Sequence, residues 1–106
     1  MIVTPSSSIA GHGVASTAGL VHGSTVLAEN LRNNLTARLK NLAGRELEEC
    51  SDMMTHVHEQ AMERMIRNAE ALGANAVLDV RISTTHVMGS VIEVLAYGNA
   101  VVLDKR

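Results

Sequence analysis

Apolar residues recur along this chain in two rhythms, and each rhythm predicts an element. From Leu47 they fall at Leu47, Cys50, Met54, Val57, Ala61, Met65, Ala69 and Leu72. Steps that alternate between three and four mark one buried face of a helix. Glu46, Glu48 and Glu49 lie in the opening turn, where the helix dipole favours acids. Gly73 follows the last periodic residue, where a left-handed position ends a helix at least cost. A preceding helix, from about Ala28 to Ala43, carries the stripe Leu27, Leu31, Leu35, Leu39 and Leu42, with Arg32, Asn33, Asn34 and Arg38 opposite and Gly44 as its stop. The short gap between the two helices predicts a hairpin or a sharp corner.

After Gly73 the period becomes two. Ala76, Leu78, Val80, Ile82 and Thr84 point one way, and Val77, Asp79, Arg81, Ser83 and Thr85 the other. His86–Ser90, with Gly89, predicts a hairpin connection. The returning strand, about Val91 to Leu103, is apolar on both faces: Ile92, Val94, Ala96, Ala100 and Val102 on one, Val91, Leu95, Tyr97, Val101 and Leu103 on the other. Such a strand is buried on both sides. At the start of the chain, Ile2–Val3 predicts a short strand. Gly13–Val26 predicts an extended segment whose glycines permit bulges or close backbone contact.

The expectation is an α+β subunit in the order β-α-α-β-β, two helices on a small, mainly antiparallel sheet. Helices cover one sheet face, so the second face of the last strand needs another cover. The long helix, at about 26 residues, would span about 39 Å. A compact domain of this size is only about 35 Å across. Both observations predict a closed, symmetric homo-oligomer whose neighbours supply the missing cover.

Composition narrows the class. The 106 residues bound a single domain, residues 1–106, with 46% apolar content but no Trp or Phe and Tyr97 as the one aromatic. The core must therefore be aliphatic, with six Met as gap-fillers. A formal charge of −2 with interspersed signs argues against nucleic acid as a partner, which requires clustered cations. No apolar run approaches the roughly 20 residues that span a bilayer. The start Met-Ile-Val-Thr has no basic region or apolar signal core, and Cys50 stands alone. These features predict a cytoplasmic protein with no membrane partner.

Several segments together resemble a known family. Gly19-Leu20-Val21-x-Gly23 followed by Val26-Leu27-x-x-Asn30-Leu31, the Gly44-Arg45 stop, Ala71-Leu72-Gly73-Ala74-Asn75-Ala76-Val77 and the closing Gly98-Asn99-Ala100-Val101-Val102 resemble the YbjQ-like proteins. These are small, uncharacterised bacterial proteins carried under a heavy-metal-binding label. The resemblance spans nearly the full chain. It implies a subunit that assembles as a β/α-propeller-like ring, a homopentamer. Three departures stand out: Glu46, Leu47, Glu48, Glu49 and Cys50 replace a glycine-, serine- and tyrosine-containing loop, Asn33-Asn34 replace charged pairs, and Gly23-Ser24 replaces Gly-Glu.

The sharpest candidate chemistry is a metal site. Cys50, Asp52, His56 and His58 crowd one stretch, with Met53, Met54 and Met62 beside them. Helical neighbours at i and i+4 make Asp52–His56, Cys50–Met54, Met54–His58 and His58–Met62 half-sites. Sulfur with imidazole suits Zn or Cu(I) better than a hard ion. Cys50 and His58 lie about 12 Å apart along the axis, too far for one ion. His56 and His58 face different directions. A complete site would therefore draw on a second subunit. Cys50, Met54 and Met62 also fit the buried stripe as plain core. His12, His22 and His86 are isolated and read as solvent-facing or satisfied.

No nucleophile elbow, phosphate loop or dinucleotide fingerprint appears, so the chain does not read as an enzyme. The functional expectation is a non-catalytic oligomeric binding or scaffold protein. The alternative is a small-molecule module with its pocket at subunit interfaces.

Overall fold

The computed structural model describes residues 1–27, 44–88 and 91–105, with side chains at 1–26, 54–85 and 91–105. The predicted first helix, Ala28–Ala43 with its leucine stripe, lies outside the described residues, as do Gly89 and Ser90. Described elements are β1 (Ile2–Val3), β2 (His12–Leu27), α1 (Gly44–Ala71), β3 (Ala76–Met88) and β4 (Val91–Lys105). The four strands form one sheet in the order β1-β3-β4-β2. β1 runs parallel to β3, and both other pairings are antiparallel. The α+β class and the mainly antiparallel sheet are as expected, but two strands, β1 and β2, precede the helix where the order β-α-α-β-β placed one.

Helix α1 begins at Gly44, three positions before the predicted start, and ends with the predicted device. Gly73 takes φ 82. Its N–H donates to Glu70 O (3.0 Å), and that of Ala74 reaches back to Ala69 O (3.1 Å). These bonds satisfy carbonyls that the last turn would otherwise leave bare. Val57, Ala61, Met65 and Ala69 are buried along the helix as the stripe predicted, with Met54 packed at its margin. Leu72 is the exception, 54% exposed, because it sits in the terminating turn rather than on the helix.

The helix lies against β2 at backbone distance. A Cβ at Gly23 would overlap Met65 N, Ala61 O and Arg64 C at once. Only a residue without a side chain permits this approach. At Gly98 a Cβ would come 2.7 Å from Val77 Cγ1 and 2.9 Å from Leu78 O. Around these two glycines Val21, Val77, Val80, Val94, Ala96 and Ala100 complete the core under the helix.

The predicted parity of β3 fails at one residue. Asp79 adopts φ 55, and the register with β4 shifts between Leu78 and Arg81. The extra residue turns the strand over. Ala76 and Leu78 therefore face away from the helix, whereas Val80 joins the core beneath it. Asp79 is locked from both sides: its N–H donates to Ser6 O (3.0 Å), and its carboxylate accepts from Ser7 Oγ (2.8 Å) and Asn99 Nδ2 (3.4 Å). The N-terminal segment thus crosses the sheet edge here. There Ile9 packs on a second cluster of Ala76, Leu78, Val101 and Leu103. The chain itself covers this half of the outer face, which corrects the expectation that only neighbours could.

Asn75 joins three strands. Its backbone N–H donates to Val101 O (3.1 Å), and its carbonyl accepts from Ile2 N–H (3.1 Å). Its side chain acts as an added ladder rung, Nδ2 donating to Leu103 O (3.0 Å) and Oδ1 accepting from Leu103 N–H (2.7 Å).

Two stability measurements test this account at fixed protein concentration, since self-association would otherwise shift the midpoint. Gly23→Ala should destabilise by about 3 kcal/mol in urea unfolding, because the added methyl meets helix backbone rather than a movable side chain. A loss below about 0.5 kcal/mol would mean the helix rides higher than described. Asp79→Ala should be about 0.5–1 kcal/mol less stable than Asp79→Gly, since both lose the carboxylate and only alanine resists the left-handed backbone.

Candidate functional site

Away from the N-terminal segment, the outer sheet face has no cover among the described residues. Alternation along β2 brings Leu20, His22, Ser24 and Val26 to this face, and the register sets them opposite Asn99, Tyr97, Leu95 and Glu93 of β4. Leu20 is 70% exposed and Val26 56%. Leu20, His22, Ser24, Glu93, Leu95 and Tyr97 line a shallow depression of about 430 Å³. Its floor is apolar, and an imidazole, a hydroxyl, a phenol and a carboxylate stand around it. That mixture suits a ligand with an apolar body and a few polar groups.

Beyond the β2 edge lies a second groove of about 400 Å³, lined by His22, Gly23, Ser24, Arg64, Arg67 and Asn68. The close seat of α1 on Gly23 creates it, because helix side chains one turn apart overhang the strand. Arg64 Nη1 donates to Ser24 O (2.5 Å), and Asn68 Nδ2 to His22 O (2.7 Å). Arg67 pairs with Glu63 (2.6 Å) on the solvent side. A third, mostly apolar groove runs between Met62 of the helix and Val80 and Ile82 of β3, closed at one end by Val3 and Pro5.

The predicted metal ligands are placed as follows. His56 is exposed and His58 half-buried on α1. Two positions apart on a helix, they diverge and do not share an ion. Cys50 and Asp52 belong to the same helix, but their side chains lie outside the described set. Met54 and Met62 are half-buried and pack on the core, the plain reading of their spacing. Among the described residues, no group of three His, Cys, Asp or Glu side chains converges as a metal cage would. His12 turns its Nδ1 to Ala10 O at 3.1 Å, and His22 stands on the outer face, directly across from Tyr97. The side chain of His86 is outside the described set.

Sequence reasoning missed both sites on β2. Leu20, His22, Glu93 and Tyr97 are separated by some seventy positions, and only the strand register unites them. Two bulges in β2, between Val14 and Ser16 and between Thr17 and Gly19, hide that register from simple counting. The one available signal was apolar content on the second face of β4.

Known proteins resemble this chain in sequence and in fold. The model of the YbjQ-like family, described as "Putative heavy-metal-binding", matches residues 1–104. The chain belongs to the YbjQ-like family. A relative named UPF0145 protein from Halorubrum lacusprofundi is 48% identical over 101 residues, covering 95% of this chain and 97% of that one. Another UPF0145 protein, from Methanosarcina acetivorans, is 40% identical over 106 residues and covers both chains fully. A third, from Dehalococcoides mccartyi, is 38% identical over 104 residues, 98% of this chain and 100% of the relative. The family thus reaches archaea as well as bacteria. A crystal structure from Pediococcus pentosaceus, a protein of unknown function assigned to the DUF74 family, superposes with a TM-score of 0.64 over 98% of each chain. At 17% identity it shares the fold alone.

The segments that carry the family likeness have structural tasks in this YbjQ-like chain. Gly23 seats the helix, Gly73 ends it, Asn75 joins the strands, Gly98 lets Val77 approach, and Asn99 holds the bulge. Among the described residues, no helix is long and apolar enough to cross a membrane.

Proposed function

We propose that this protein is a non-catalytic binding protein working as a homo-oligomer, in which a neighbouring copy closes the depression on the outer sheet face. The observation that carries the reading is the apolar surface of Leu20, Leu95 and Tyr97, which shares one hollow with His22, Ser24 and Glu93 and has exposed Val26 on the same face. Exposed apolar surface continuous with convergent polar groups is characteristic of surfaces that meet a partner or a ligand. Self-association suits it because closed rings cover such a face on every subunit alike. The family resemblance favours a ring of five, and the single cysteine and mixed charge suit a cytoplasmic setting. A pocket closed between copies would bind a small ligand without any catalytic group.

The family description favours a second reading, a heavy-metal site. Cys50, Asp52, His56 and His58 would then be completed by ligands from a second subunit. The donor types suit Zn or Cu(I). One helix cannot aim both imidazoles at one ion, so this site also depends on assembly.

Two experiments decide between these readings. Wild-type protein should sediment as several copies at micromolar concentration, and Leu20→Glu with Tyr97→Asp should sediment as folded single chains. A wild type that runs as one well-folded chain rejects the assembly and the shared pocket with it. Zinc and Cu(I) titration of untagged protein should lose stoichiometry in His56→Ala, His58→Ala or Cys50→Ser if these residues bind metal. Equal stoichiometry in all three variants removes this cluster.

A further inference from the structure

The groove at the β2 edge has an unusual balance of hydrogen-bonding groups. Among the described residues β2 is the last strand of the sheet, and one of its edges has no strand partner there. His22 and Ser24, two positions apart, direct their carbonyls to the same side of the strand. Those carbonyls are occupied by Asn68 and Arg64. In an antiparallel strand the N–H of a residue lies on the same side as its carbonyl. The His22 and Ser24 N–H groups therefore face the groove as well. Arg64 commits one of its five N–H donors to Ser24, and Asn68 one of its two to His22. Arg67 stands one helical turn along and also lines the groove, with one Nη bonded to Glu63 and its other N–H donors uncommitted to that bond. The two strand carbonyls each hold a side-chain donor, while most N–H groups of Arg64 and Arg67 remain for a ligand.

We propose that this groove binds a small oxyanion, a phosphate or carboxylate group, between the Arg64 and Arg67 guanidinium groups and the His22–Ser24 backbone. The planar fork of arginine matches both oxyanions through paired N–H donors. Arg64 is pre-positioned by its bond to Ser24 O, so less rotamer freedom is lost on binding. Glu93 lines the outer-face depression with His22 and Ser24, and the carboxylate paired with a groove residue is that of Glu63. Its charge is countered by Arg67, which leaves Arg64 as the uncompensated cation. The hollow of about 400 Å³ accommodates a group larger than a bare ion. This site lies around the strand edge from the outer-face depression, and it stands whether or not that depression is closed by a second copy.

The test is an NMR titration of the wild-type protein with inorganic phosphate and, separately, citrate, at ionic strength held constant with sodium chloride. Saturable shifts are expected at the His22, Gly23 and Ser24 amides and at the Arg64 and Arg67 side-chain N–H signals. Arg67→Gln holds no strand carbonyl and should keep the fold, yet weaken binding by about tenfold, as loss of a charge-assisted donor does. Arg64→Gln should weaken it at least as much. Saturation by phosphate alone assigns a tetrahedral ligand group, and saturation by citrate alone a carboxylate. Linear shifts with both probes, or binding unchanged in both variants, overturn the proposal.

Discussion

The approach of α1 to β2 at Gly23 is the contact from which the rest of the described structure follows. Helices usually ride on a sheet with a full layer of side chains between them. Here one strand position is empty, and the helix backbone at Ala61, Arg64 and Met65 comes down onto it. The residues that line the contact must then be small or pliable. Ala61 and Ala69 are small, and Met65 is unbranched enough to fill what remains. An aliphatic core without a single phenylalanine or tryptophan is the natural consequence of so thin a layer.

The same contact arranges the surface. Because the helix sits low, Arg64 and Asn68 reach past the strand and take two carbonyls on its open edge. Unprotected edges invite pairing with other strands. Covering part of this one with a guanidinium and an amide discourages that pairing and produces a donor-rich groove. On the outer face, among the described residues, Leu20 and Val26 of β2 stand exposed, so the two sides of β2 differ sharply in character.

Much of the fold was legible in the sequence because its signals are local. The helix stripe from Met54 to Ala69, the left-handed Gly73 and the two-residue opening strand all depend on near neighbours. The parity of β3 was not legible, because Asp79 carries no mark of a bulge until Ser6, Ser7 and Asn99 are brought to it from distant parts of the chain. The candidate sites failed for a related reason. Histidines and a cysteine draw attention by chemistry, but His56 and His58 diverge on their helix. His22 becomes interesting only through its place opposite Tyr97. The motif residues that identified the family report on architecture, and so they locate no ligand.

The inversion at Asp79 lets one strand serve two separate interiors. Upstream of it, alternation sends Ala76 and Leu78 to the small cluster under Ile9 and Val77 to the main core; downstream, Val80 takes the main-core side. The chain's first residues are therefore stitched to the same hinge point that divides the two. Loosening that stitch would uncover the cluster under Ile9 and, because Val3 packs on the main core, would disturb that core as well.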